Sequence, residues 1–259
     1  MNKLKQIEDK VGKLSNPSKM PAFAWGIPTE YCKTGMKLAK IEGTICNKCY
    51  ADKGCYVFPL VKVAYQKRYD AIELPEWVDY MVQLLTEKYK RLDKSRLFHR
   101  WFDSGDLQSV EHLQKIFEIC RQTPHIKYWL ATREYKIVDQ IKEEDVPKNL
   151  CLRVSAITVD GNQPKFWKWT SGVHKDKPAV GWECPAPKQN GKCGNCRNCW
   201  SRSFTLGLKF QILVEELGGE VTEKSLYLKG KGSQFTFKLK DKSFAVDLWD
   251  ESIVEEYNK

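Results

Sequence analysis

No run of about 18 apolar residues occurs in this chain, so nothing reads as a membrane-spanning helix. The N-terminus, MNKLKQIEDKVGKLS, lacks the apolar stretch of about 7–15 residues that a secretory leader needs. The expected location is the cytoplasm, with no membrane partner. Neither a Walker-type phosphate loop nor a GxGxxG fingerprint is present, which removes the commonest nucleotide-binding signatures. There is no low-complexity tract and no repeat of about 20–50 residues, which excludes solenoids and propellers. No cysteine and histidine pattern suggests a nucleophilic dyad.

What the chain does have is 259 residues, 42% of them hydrophobic, and nine tryptophans, enough for a substantial core. It also has ten cysteines. In a reducing compartment, clustered cysteines are metal ligands or redox groups more often than disulfides. The formal charge of +10 suits a polyanion such as nucleic acid, although lysines spread along the whole sequence also make an ordinary solvated surface.

From Ala22 to about Ser155, short apolar strands alternate with amphipathic helical stretches. Strands are expected at 22–28, 97–103, 127–133 and 149–155. Helices are expected at 58–73, 75–92, 109–122 and 135–143. This order predicts parallel βαβ units, closed into a complete or partial (β/α) barrel or opened into a doubly wound sheet. Residues 160–202 turn to Gly, Pro, Cys, Trp and Lys with little periodicity, a long irregular segment that needs something to hold it. Beyond it, Leu208–Leu217 reads as a helix, and SLYLKG, QFTFKLK and SFAVDLW read as an antiparallel meander. The expected organisation is a core over 1–159, a cysteine-rich segment over 160–202 and a small α+β appendage over 203–259.

The cysteines fall into two groups. Cys184, Cys193, Cys196 and Cys199 lie within 16 residues, and the last three repeat at Cys-x2-Cys-x2-Cys. That run suits the separate irons of a 4Fe-4S cluster. Zinc, which prefers two separated Cys-x2-Cys pairs, is the alternative. Lys188, Lys192, Arg197 and Arg202 would offset the negative charge of such a cluster. The other group is Cys32, Cys46 and Cys49. Three thiolates would leave one iron of a second 4Fe-4S cluster without a protein ligand. Cys55 is either a fourth ligand or a bystander. Cys120 and Cys151 sit among apolar neighbours and read as buried structural residues.

Four stretches, NPSKMPAFAWGIPTEYC, ICNKCYADKGCYVFPLVKVAYQKR, RWFDSGD and CPAPKQNGKCGNCRNCW, together resemble the phage Gene product 88 domain over about residues 15–205. That family looks like a shortened relative of radical S-adenosylmethionine proteins. The resemblance implies a partial (β/α) barrel and a cluster on Cys32, Cys46 and Cys49 whose open iron would bind S-adenosylmethionine. It also implies an auxiliary cluster on the four later cysteines. The usual superfamily motif separates its first two cysteines by three residues, whereas thirteen intervene here.

Functional side chains of such folds collect at the C-terminal ends of parallel strands. There the expected strands carry Asp103, Ser104 and Asp106, then Arg133, then Arg153 and Ser155. These are candidates for holding a small ligand with amino and carboxylate groups, because arginine donates two parallel bonds to a carboxylate. Helix capping and ion pairing are the structural alternative for the same residues. Lys165–Trp169 interleaves basic and aromatic residues, a pattern for stacking bases or for packing over a loop. Two functional readings follow: a radical S-adenosylmethionine-like enzyme of unknown substrate, or a non-catalytic, iron–sulfur- or zinc-stabilised phage protein that binds nucleic acid or a host protein.

Overall fold

The structure is a computed structural model that describes residues 3–21, 23–179 and 181–202, together with the strands at 227–229, 232–239 and 242–247. The chain divides into two compact units, Met1–Ser201 and Arg202–Lys259.

The first unit is mixed α/β. Its elements run α1 (Lys3–Val11), β1 (Ala24–Trp25), α2 (Lys33–Leu38), α3 (Pro59–Ala71), α4 (Trp77–Tyr89), β2 (Phe98–Trp101) and α5 (Val110–Gln122). They continue with β3 (Lys127–Thr132), α6 (Tyr135–Val138), β4 (Leu150–Ser155) and β5 (Thr170–Ser171). The five strands form one sheet in the order β1-β2-β3-β4-β5, every pair parallel. Each strand thus lies beside its predecessor, with no reversal of order.

Period-two alternation gives the sheet two distinct faces. One cross-strand row is His99, Tyr128 and Leu150, and the next is Trp101, Leu130 and Leu152. All six are buried in the core, with Trp77, Met81, Leu84 and Leu85 of α4 and Leu113, Ile116 and Phe117 of α5. The other face carries the rows Arg100, Trp129, Cys151 and Ala131, Arg153.

Local chemistry explains the helix boundaries. Pro59 opens α3, where its missing N–H costs nothing. Ser109 caps α5 by accepting from the His112 amide, 3.1 Å. The helix expected over 135–143 keeps only Tyr135–Val138, because Gln140 and Ile141 bond three residues back and tighten the chain into turns. α1 and α2 are not among the expected helices, although Leu4, Ile7 and Val11 of α1 recur at helical spacing, and β5 lies inside the aperiodic 160–202 segment.

Trp25 stands at the centre of an aromatic cluster, edge-on to Trp77, Trp101, Phe102 and His112 at 5.5 to 6.0 Å. His112 is buried, and neither ring nitrogen meets a hydrogen-bond partner. Burial, with the nearby Lys115 charge, pushes its pKa down to about 3. The unfolded chain therefore binds the extra proton below about pH 6.5. Stability from this group is complete above that pH and is lost as pH falls toward 3. Between pH 7 and 5 the expected loss is about 2 kcal/mol from His112 alone. His112→Leu should flatten the pH dependence of the urea midpoint over that window, and an unchanged slope would contradict the assignment.

In the second unit, β6 (Tyr227–Lys229), β7 (Gly232–Leu239) and β8 (Lys242–Asp247) form an antiparallel sheet in chain order. Its register pairs Phe235 with Val246 and Phe237 with Phe244. These strands fall on the three alternating stretches of the sequence. The helix expected at Leu208–Leu217 lies outside the described residues.

Candidate functional site

The first thiol group forms at the C-terminal end of the parallel sheet. Cys32 follows β1 and immediately precedes α2. Cys46 and Cys49 flank a single 3-10 turn, closed by the Cys49 amide bonding to the Cys46 carbonyl at 3.2 Å. That loop is clasped to the chain beyond β4, since Ile45 donates to the Ile157 carbonyl (2.9 Å) and Val159 to the Gly43 carbonyl (3.0 Å). Gly35 packs directly against Cys32, where an added Cβ would lie 2.9 Å from Cys32 Cβ and so does not fit. A methyl group there would lie 3.7 Å from both Cys32 Sγ and Cys46 Sγ, so the two sulfurs are separated by at most twice that distance.

Charged groups surround this set. Asp106 is buried and accepts from Leu107 N (2.8 Å), Thr132 Oγ1 (2.6 Å) and Arg133 N (3.0 Å). Glu134 accepts from the amide and hydroxyl of Thr34 at 2.8 and 2.7 Å, binding α2 to the end of β3. Arg133 bonds through Nε to the Ala156 carbonyl (3.0 Å), and its charge favours the thiolate of Cys46. Burial, reinforced by Asp106 and by the other two thiols, pushes the Cys32 pKa far up. Burial also raises Cys46, against the pull of Arg133, and Cys49, against the Ala51 and Asp52 amides. Burial lifts Asp106 to about 6, and its three hydrogen bonds oppose the shift. Without a metal these thiols keep their protons, and a metal core would have to displace them. Cys55 is exposed on the turn Gly54–Val57.

The remaining strand-end residues go elsewhere. Asp103 is buried in the connection after β2. Its Oδ2 accepts from Tyr65 (3.1 Å), its carbonyl accepts from Tyr50 (2.8 Å), and its Oδ1 has no partner. Ser104 is buried beside it and accepts from Ile27 N through its carbonyl, 3.0 Å. Ser155 Oγ bonds Ser171 Oγ at 2.8 Å, within the β4–β5 pair.

Arg153 belongs to the second thiol group. It projects from the sheet face opposite the helical core. From there it donates to the carbonyls of Cys199 (3.2 Å), Thr170 (3.1 Å), Asn198 (3.0 Å) and Ser201 (2.7 Å). Trp200 is buried on the same face, with its ring 5.4 Å from both Phe98 and Trp129 and its Nε1 donating to the His99 carbonyl at 2.7 Å. These contacts pin Asn198–Ser201 across β2, β3 and β4. The rest of the loop is shaped by left-handed turns at Asn190, Gly191 and Gly194, and the Cys193 amide bonds the Lys19 carbonyl at 2.9 Å.

Cys184, Cys193, Cys196 and Cys199 act on one another electrostatically. Burial raises Cys199 to about 12, against the Arg153 charge. It also raises Cys193, against Arg197 and Arg100. Of the cations expected to offset this group, Arg197 is in place, while Lys188 pairs with Glu183 at 3.0 Å. Arg100 and Arg153 were invisible as partners in the sequence because they lie 84 or more residues upstream in β2 and 31 or more upstream in β4.

Among the described residues, no three His, Cys, Asp or Glu side chains stand where they would hold a single metal ion. No helix of the described residues is long and apolar enough to cross a membrane. In the Lys165–Trp169 stretch, Trp167 and Trp169 are core residues, and Trp167 Nε1 donates to the Leu152 carbonyl at 2.8 Å. Phe166 alone of its aromatics is exposed.

The sequence profile of the family Gene product 88 matches residues 2–202. The chain belongs to the Gene product 88 family. No curated protein and no solved structure matches it. Both thiol groups lie within the family's stretch, and residues 203–259 lie beyond it.

Proposed function

We propose that this member of the family is an iron–sulfur protein built like a radical S-adenosylmethionine enzyme, its sheet forming part of a (β/α) barrel. In this reading Cys32, Cys46 and Cys49 hold one 4Fe-4S cluster, and Cys184, Cys193, Cys196 and Cys199 hold an auxiliary one. The observation that carries it is the gathering of three thiols from two segments at the C-terminal end of a parallel sheet, with Cys32 and Cys46 both close against Gly35. Sequential strand order supports a barrel-like sheet, which has no switch point to interrupt it. The donors are soft sulfurs alone, suited to iron and sulfide, and thiolates on different irons stand farther apart than ligands of one ion.

A cluster held by three thiolates supplies an open coordination position and a low-potential electron. The chain's own residues do the rest. Arg133 offsets thiolate charge beside Cys46 and offers a planar fork to a carboxylate. Lys33, Lys37 and Lys40 line an open cleft next to Cys32 and favour an anionic ligand end. Asp106 and Glu134 hold Arg133 and α2 in place through the bonds described above.

A second reading is a non-catalytic protein whose centres, iron–sulfur or zinc, only brace the fold while the surface binds nucleic acid or a host protein. It is favoured by the exposed apolar residues Tyr50, Val57, Phe58, Leu60 and Val63, close in sequence to several lysines.

Anaerobic purification with iron, sulfide and zinc analysis tests the cluster reading, and a colourless protein with stoichiometric zinc and no sulfide would end it. Reduction with dithionite in the presence of S-adenosylmethionine should then release 5′-deoxyadenosine, and its absence favours the second reading. Cys196→Ala is expected to lose one centre, about half of the iron, while Cys55→Ala keeps both. Iron loss in the Cys55 variant would make the first site a closed, four-ligand one.

A further inference from the structure

Arg100 sits on β2, in the same cross-strand row as Trp129 and Cys151, on the sheet face that Asn198–Ser201 covers. Its Nη2 donates to the Tyr50 hydroxyl at 2.6 Å, and its Nη1 lies 3.7 Å from Met20 Sδ. Its guanidinium carbon is 4.6 Å from the centre of the Trp129 ring. Nε is buried and has no hydrogen-bond partner. Among the described residues Arg100 makes no ion pair. A half-buried guanidinium with an orphaned donor and no ion-paired carboxylate is costly unless another anion balances it. Asp103 lies within electrostatic reach, but it hydrogen-bonds Tyr65 instead.

The groups around Arg100 point both ways. Tyr50, which receives its hydrogen bond, directly follows Cys49 of the first thiol group. Met20 directly follows Lys19, whose carbonyl accepts from Cys193 of the second. The Arg100 charge acts on the Cys193 thiol itself. Trp129, on which it stacks, meets Trp200, the neighbour of Cys199.

We propose that Arg100 balances the negative charge of the centre held by Cys184, Cys193, Cys196 and Cys199, and that its bond to Tyr50 couples that centre to the Cys32, Cys46 and Cys49 group. The inference rests on the iron–sulfur reading above and assigns Arg100 a positioning role in it. A fixed cation beside a cluster favours the state with one more electron. Removing the cation makes one-electron reduction harder. Removing the Tyr50 hydroxyl releases the guanidinium and should alter the second centre from a residue beside the first.

The test is a redox titration of the anaerobically prepared full chain with dithionite as electron donor, followed by electron paramagnetic resonance. The two signals are assigned by their loss in Cys46→Ala and Cys196→Ala. Arg100→Met is expected to lower the reduced-to-oxidised ratio of the second centre about tenfold at fixed potential, a shift of about 59 mV to the negative. Arg100→Lys should recover most of it. Tyr50→Phe should shift the same centre, and the shift should vanish when Arg100→Met is already present, as a double-mutant cycle requires. Unchanged midpoints in Arg100→Met at wild-type iron and sulfide would overturn the proposal and leave the clusters standing. If Arg100→Met does not fold, an unchanged second centre in Tyr50→Phe overturns it equally. Wild-type protein with neither iron nor sulfide would instead sink the reading beneath it.

Discussion

Arg153→Met is expected to release the cysteine-rich segment from the sheet, costing about 3–5 kcal/mol of stability along with the second metal centre. Arg153 is buried, yet its guanidinium is met by four backbone carbonyls, those of Thr170, Asn198, Cys199 and Ser201. Methionine has a similar length and no donors. It would fill much of the space while leaving those carbonyls without their charged partner. Hydrogen bonds to a charged group contribute about 1.5–3 kcal/mol each, and four on one side chain do not add fully. For a chain of this size the loss corresponds to a fall in Tm of roughly 10 °C. Proteolysis should become fast between 160 and 202 while the core of the first unit resists. Arg153→Lys, a point charge without the planar fork, should recover only part of the loss. An Arg153→Met protein with wild-type Tm and metal content would show that the segment is held by something else.

The second large effect concerns the first thiol group. Asp106→Ala is expected to destabilise the first unit by about 3–5 kcal/mol, because it strips the acceptor from two amides and a hydroxyl at once. Those donors are Leu107 N, Thr132 Oγ1 and Arg133 N, and the Thr132 hydroxyl in turn accepts from Glu134 N at 3.0 Å. Asp106 thereby joins the chain after β2 to the chain after β3 and sets where Arg133 and Glu134 stand. Asp106→Asn keeps one acceptor oxygen and sheds a carboxylate that burial disfavours, so it should cost much less than the alanine variant. The pH behaviour separates the two further. A carboxyl raised to about 6 in the fold, from 3.8 outside it, binds its proton more readily when folded. Its contribution therefore rises as pH falls from about 6 to 4, opposite in sign to that of His112. Asp106→Asn should remove this upward component and leave a steeper acid loss. Equal stabilities of the Ala and Asn variants, measured by urea unfolding at pH 7, would rule out the acceptor role.

Much of the fold was legible because local patterns carry it. The apolar spacing of Trp77, Met81, Leu84 and Leu85 marks a helix wherever it packs, and α4 occupies the middle of the expected stretch. The short apolar runs around Phe98–Trp101, Lys127–Thr132 and Leu150–Ser155 mark strands between the helical stretches. The partners of the strand-end residues were not legible. Asp106 and Arg133 do stand beside the first thiols, but Arg153 turns to the second group and Ser155 to β5. A one-residue step along a strand reverses the face, and β5, the partner that β4 needed, lay hidden in an aperiodic segment.

Local sequence patterns are enough to place α3 to α5 and β1 to β4, to show two groups of cysteines, and to carry the resemblance to the Gene product 88 family. Those features rest on hydrogen bonding and side-chain periodicity over a few residues. The order of the five parallel strands, the close approach of Cys32 and Cys46 across a thirteen-residue interval, and the gathering of Arg100 and Arg153 against a loop far along the chain come from long-range packing. Parallel pairing requires long crossovers, so which side chains end up as neighbours depends on how distant segments pack and cannot be read from any one of them.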